Sequence, residues 1–453
     1  DRFFVNAEAS PDGHNWSTAA FSSDFVDKAY RWGYSDRGRT YDYEGFNRLP
    51  EYRPTRDRSP SLFRDPITAE DLSNFMRRYI PYLNGARDVA EPETLYLWDA
   101  AARAGLTYRN YGEFIATLSE DNITAINVNR QRPYPDVSPT VSAFPTKKSL
   151  EGHHSLTFRN FDMRTPDSMT PDSYRAAKES NEKIDPLITR AHADERFRGV
   201  SRLGEWLEEF RQYVRDLEAG RPDRMPNFSM MRLSSDHTNG YAVDFPTPQF
   251  YVAENDFAIG RLVEAVSDSP YWKDTAIFIV EDDAQDGPDH VDAHRSAALV
   301  ISAYNRPGAL VHEFHSTVSL IRTMEMLLGM GPMNQLDAVA VPVDLFQEKA
   351  DLRPYKAVLP EVALDNLLVP ASAAREPTHG YWLKRTAEQD LSHADMADAR
   401  ALNEIIWFTV RGSRSVMPDV ARLPAFDAMR EGILESDDEE ERPARAKRVM
   451  AGK

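Results

Sequence analysis

Cysteine is absent from the 453 residues, which removes a disulfide framework, a thiolate nucleophile and any cysteine-held zinc or iron–sulfur centre. Any metal bound here therefore sits on carboxylates, imidazoles and hydroxyls. Long apolar runs are missing too. None approaches the roughly 20 residues that cross a bilayer, so a soluble chain with no transmembrane segment is expected. Basic residues are the scarcer charge: 54 Lys and Arg stand against 72 Asp and Glu, a formal net charge of −18. Nucleic acid is held by clustered cations, so it is not the expected partner. Anionic substrates remain open, because a bound divalent ion can reverse the local field. The chain opens on Asp1 with no basic-then-apolar leader, and the expectation is a chain processed, truncated or excised from something longer.

What is present suits a large α/β protein. The length allows one α/β domain with insertions or two ordinary domains, and 41% hydrophobic with 28% charged residues is ordinary globular composition. The first 60 residues, rich in Tyr, Asp, Arg and Gly, show little periodicity and read as loop. Short helices are expected over 68–85 and 95–105, and "TYRNYGEF" reads as a strand with its exit turn. Pro, Ser and Thr crowd 128–186, which reads as an insertion. No internal repeat is apparent.

From residue 200 onward the pattern sharpens. "SRLGEWLEEFRQYVRDLEAG" has helical apolar spacing and stops at Gly220, where a C-terminal glycine belongs. Strands are expected at 227–234, 275–281 and 297–303, and helices at 201–219, 250–267 and 315–330. Continuous apolar strands alternating with amphipathic helices predict one mostly parallel sheet covered on both faces. The ligand site of such a sheet lies beyond the carboxyl ends of its strands. Residues 371–453 read as a helical C-terminal extension with a charged tail, following a main domain over 1–370.

Two polar clusters fall at those strand ends. Residues 282–294 hold five aspartates and two histidines directly after the expected strand "TAIFIVE". A charged cluster is usually a solvated loop, but carboxylates crowded at the end of a buried strand repel one another and are costly to desolvate, and cations relieve both penalties. Asp236 and His237, in "SSDHTNG", repeat the arrangement on the preceding strand. A lone Asp-His pair is commonly a cap or a surface feature, and this one gains weight as neighbour of the second cluster. Carboxylates with imidazoles suit zinc or manganese better than magnesium.

The order strand, "DHT-G", helix, strand, "DD", short loop, "AHR", strand resembles the alkaline phosphatase superfamily. Within it the likeness is to the bacterial phosphoesterase branch related to acid phosphatase and phospholipase C-type enzymes. "NAEASPDGHNWSTAA", "SPYWKDTAIFIVEDDAQDGPDHVDAHRSAALVIS" and "TVSLIRTMEMLLG" are similar to a group in which such a domain often follows a β-propeller. The resemblance implies an alkaline-phosphatase-like sheet sandwiched by helices. It also implies two divalent ions, zinc first and manganese second, and a small phosphoester or phospholipid-like substrate, in a periplasmic or extracellular location.

Carried over by position, Asp282 and Asp283 match the acidic pair after a core strand, and His294 matches the later imidazole that returns to the other ion. Asp236 and His237 match the remaining ligands, although here they are adjacent where many members separate them. The family's first strand, which ends in a metal-binding acid, has no match here, and three expectations stand: a fragment, a strand supplied by an upstream domain or separate segment, or a degenerate relative. Ser10 matches the Ser or Thr nucleophile, a hydroxyl that ionises beside a metal and attacks phosphorus in line; the plainer alternative is a serine in a turn before proline. Asp12, His14 and Asn15 are expected around it. Asp289, His290 and Asp292 are expected to orient the ligands, with His290 a lesser ligand candidate than His294. A sulfatase would need a formylglycine made from Cys or Ser, and Cys is absent. A non-catalytic or incomplete phosphatase-fold module acting in binding is the remaining alternative.

Overall fold

The computed structural model describes residues 2–7, 10–32, 46–47, 81–85, 87–117, 143–156, 158, 166–168, 201–235, 237–243, 245–283, 294–364, 369–389 and 397–417. The chain divides into two compact units, Asp1–Gly412 and Ser413–Lys453. In the second unit the described residues, 413–417, make a turn.

The first unit mixes helices with short strands. In chain order these are β1 (Phe3–Phe4), α1 (Ser10–Ala19), α2 (Asp24–Trp32), β2 (Phe46–Asn47), α3 (Leu97–Arg103), β3 (Tyr108–Tyr111), β4 (Ile115–Thr117) and β5 (Ala143–Pro145). There follow α4 (Arg202–Glu218), β6 (Phe228–Met231), α5 (Pro248–Ser267), β7 (Ala276–Val280) and β8 (Ala298–Ser302). The series closes with β9 (His315–Ser316), α6 (Thr317–Leu328), α7 (Gln335–Val339), α8 (Pro377–Ala387) and α9 (Ala399–Arg411). The helices and strands expected from residue 200 onward are present within a few residues of their expected ends. Ser201 caps α4 by accepting the Gly204 N–H, Thr247 caps α5 with Pro248 at its first position, and Gly329 ends α6 in the left-handed conformation at φ 69°, each a standard device for a helix end.

Strand pairing differs from the expectation of one mostly parallel sheet. Among the described residues, β3 and β6 form a parallel ladder from Tyr108↔Phe228 to Tyr111↔Met231. β7 and β8 form a separate antiparallel ladder from Ala276↔Ser302 to Val280↔Ala298. The reason lies in the connection. A parallel return needs a crossover, usually a helix laid over the sheet, whereas residues 281–297 carry Asp, Pro and Gly with no helical apolar repeat. β1 lies between two partners, parallel to β9 through Phe3↔His315 and antiparallel to residue 295 through Phe4↔Arg295. β2, β4 and β5 make a further ladder.

The core wraps the β3–β6 ladder from both sides. Side chains alternate along a strand, so Tyr108 and Phe228 enter a cluster with Trp98, Phe114 and Ile321. Tyr111 and Met231 face the other way, into a cluster with Trp206, Phe210 and Phe257 from α4 and α5. A third cluster joins Tyr241 to Ile405 and Phe408 of α9, which ties α9 into the first unit.

The amino-terminal segment departs from its reading as loop. α1 and α2 occupy 10–19 and 24–32, and Asp12, His14, Asn15, Thr18 and Ala19 of α1 are all buried. The side chains this helix buries are mostly polar, so the apolar stripe whose period reveals helices is missing.

Candidate functional site

The amino end of α1 meets the carboxyl end of β7. Val280 closes an apolar strand, and Asp282 and Asp283 are the second and third residues beyond it. Ser10 and His14 stand one turn apart, hence on the same face of α1. Ser10 Oγ donates to Asp283 Oδ2 at 2.6 Å, and His14 Nε2 lies 3.1 Å from Asp282 Oδ2. The latter is a close ion pair and not an aligned hydrogen bond. Gly13 sits between them, where a Cβ would come within 2.4 Å of the Asp282 carbonyl oxygen. Helix backbone therefore rests directly on strand-end backbone. Helix amino ends carry free N–H groups and partial positive charge, which favour an anion placed there.

His14 is held from its other side. Its Nδ1 is 2.9 Å from Glu113 Oε1, and both side chains are almost fully buried. Glu113 follows β3 through Gly112, whose φ of +105° and whose contact with the Phe158 ring, 2.7 Å from any added Cβ, leave no room for a side chain. Burial and Arg232 push the His14 pKa down, but Glu113 and Asp282 at the two ring nitrogens outweigh them and hold it above its ordinary value.

The turn after β6 is clamped from two directions. Asp167, fully buried, accepts the backbone N–H groups of Ser234 and Ser235 at 3.3 and 2.8 Å. It also accepts from Arg202 at 2.7 Å and from Asn255 at 3.1 Å. Glu254 accepts the Ser168 N–H, and desolvation with the Asp167 charge raises its pKa to about 7. On the far side of the turn, the Tyr241 N–H donates to Thr386 Oγ1 at 3.1 Å, and the Tyr241 hydroxyl meets His379 Nδ1 at 2.5 Å. His237 lies in this turn, its Nδ1 3.3 Å from the Ser234 carbonyl oxygen.

The structure thus brings Ser10, His14, Asp282 and Asp283 together, with Asp12 and Asn15 buried on the same helix. His294 is half-buried, and its carbonyl oxygen accepts the Val5 N–H at 2.7 Å, which sets it on the ladder beside β1. Asp236, Asp289, His290 and Asp292 lie outside the described residues. Glu113 and Asp167 were not anticipated. An acid at a strand's exit is the signature that marks Asp282, and "YGE" after "TYRN" carries it too; Asp167 sits in a Pro-rich stretch whose composition gives no signal.

Among the described residues, no three His, Asp or Glu side chains converge as a ready metal cage. The donor types nevertheless suit a divalent cation, carboxylates with an imidazole and a hydroxyl, and Asp282 Oδ2, which faces the His14 ring but has no aligned hydrogen-bond donor, would gain from such a cation. No protein-family model matches the chain, and no curated protein matches it.

Proposed function

We propose that the chain is a metal-dependent phosphoester hydrolase with an alkaline-phosphatase-like core, and that Ser10 is its nucleophile. The observation that carries this reading is the Ser10 hydroxyl at the amino end of a buried helix, donating at 2.6 Å to a carboxylate at the end of an apolar strand. A serine hydroxyl is a weak nucleophile until an acceptor takes its proton, and Asp283 is placed to be that acceptor. The new bond is Ser10 Oγ to phosphorus, and the bond that breaks joins phosphorus to the departing alcohol. Water then releases phosphate and restores the serine. The partial positive charge at the amino end of α1 favours the phosphoryl oxygens. Asp236, His237, Asp282, Asp283 and His294 are the residues that would hold two divalent ions, zinc or manganese, which supply Lewis-acid charge at the phosphoryl oxygens and make a neighbouring hydroxyl easier to ionise. The Asp167 clamp holds the turn that carries His237, and Thr386 and His379 hold its other end.

The test is turnover of chromogenic phosphate mono- and diesters with zinc or manganese. The wild-type chain should hydrolyse at least one, and Ser10→Ala should lose roughly a thousandfold or more while keeping metal uptake. Equal turnover in Ser10→Ala removes the serine from its role. No turnover by the wild-type chain favours a binding module.

A further inference from the structure

We propose that Glu113 is a positioning residue of this site, acting through His14 to fix the carboxylate of Asp282. The inference rests on the metal-site reading above and adds to it a residue that comes from a different strand.

The geometry is a chain of three groups. Glu113 leaves the end of β3, His14 lies on α1, and Asp282 leaves the end of β7; Glu113 Oε1 to His14 Nδ1 is 2.9 Å and His14 Nε2 to Asp282 Oδ2 is 3.1 Å. β3 and β7 belong to separate ladders, so the ring on α1 is a direct tie between two strand ends. Glu113 cannot easily turn elsewhere, because Gly112 is pinned against Phe158 and the Glu113 side chain is 6% exposed. By accepting from Nδ1, Glu113 decides which ring nitrogen faces Asp282. Groups that hold a metal ligand from outside, whether a carboxylate on a ligating imidazole or a partner of a ligating carboxylate, typically cost 10–100-fold in metal affinity when lost; His14 stands in that place against Asp282, and Glu113 holds His14.

A purely architectural ion pair makes a different prediction: its removal lowers stability and leaves metal affinity unchanged at temperatures where the protein is folded. The experiment is calorimetric titration of the whole chain with zinc and with manganese, well below the midpoint of thermal unfolding, for wild type, Glu113→Gln and Glu113→Ala. Unfolding midpoints without metal are recorded in parallel. Gln keeps the buried shape and an oxygen that accepts from Nδ1, so Glu113→Gln should fold and lose at most about tenfold in affinity. Glu113→Ala should lose about 10–100-fold. His14→Ala should lose a similar factor, and the double variant no more than the larger single effect, because both act on one path.

Wild-type metal affinity in folded Glu113→Ala overturns the proposal; if that variant does not fold, wild-type affinity in His14→Ala overturns it. Additive losses in the double variant also overturn it, since Glu113 then acts without His14. A wild-type chain that takes up neither metal overturns both this inference and the hydrolase reading. Metal uptake that depends on Glu113, in a chain without phosphoester turnover, sustains the positioning role and ends the hydrolase reading alone.

Discussion

Gly13 shows how closely single residues are fitted at the meeting of α1 and β7. In a helix interior, Gly→Ala normally stabilises by up to about 1 kcal/mol. Here the added methyl would stand 2.4 Å from the Asp282 carbonyl oxygen, a distance no relaxed side chain keeps. Gly13→Ala is therefore expected to destabilise, by roughly 1–3 kcal/mol as for other overpacked sites, and to separate Ser10 from Asp283. Thermal unfolding with the turnover assay checks it, and a stabilised, active Gly13→Ala would contradict the packing. Glu254 offers a test through pH. Its pKa rises from an ordinary 4.5 to about 7, chiefly by desolvation. A raised carboxyl binds its proton more tightly in the folded state, so its contribution to stability is full below pH 4.5 and is lost as pH rises to about 7. Glu254→Gln should thus be more stable than wild type above pH 7, by up to about 3 kcal/mol, with the difference fading towards pH 4.5. Denaturant titrations across that range measure it, and a gap independent of pH would contradict the assignment.

Among the elements, those with a clean period were legible in the sequence, and α1, whose buried side chains are mostly polar, was not. α4, α5 and α6 have polar and apolar faces, and β7 is an unbroken apolar run, so each lies close to its expected position. α1 lacks an apolar stripe and carries Ser, Pro, Asp, Gly and Asn, residues at home in loops; its helix exists because of what packs on it. The acidic pair after β7 could be singled out because its chemistry conflicts with its position. The antiparallel return of β8 was obscured by apolar content that suits either direction. Asp167 was invisible for another reason: its role comes from partners 35–88 residues away in the chain, which no local pattern encodes. The turn after β6 depends on it. Asp167→Ala leaves buried Arg202 without its carboxylate and two backbone N–H groups without an acceptor, an expected loss of about 3–5 kcal/mol. Chemical denaturation measures this, and a loss under about 1 kcal/mol would show that the turn is held from the Thr386 side.

Across the whole molecule, an acidic chain with net charge −18 is proposed to act on anions, and the apparent conflict is resolved locally. The amino end of α1 and two divalent ions would present positive charge at one place on a chain whose net charge is negative. Both the chemistry and the placement of α1 converge on Ser10. The most direct measurement is acid-quenched trapping: the chain is mixed with a phosphoester and zinc or manganese, quenched within the first turnover, and its peptides are mapped by mass spectrometry. The account predicts phosphate on the peptide containing Ser10 in the wild-type chain, with none at that position in Ser10→Ala. Steady hydrolysis with phosphate on a different residue, or undiminished hydrolysis by Ser10→Ala, would contradict it.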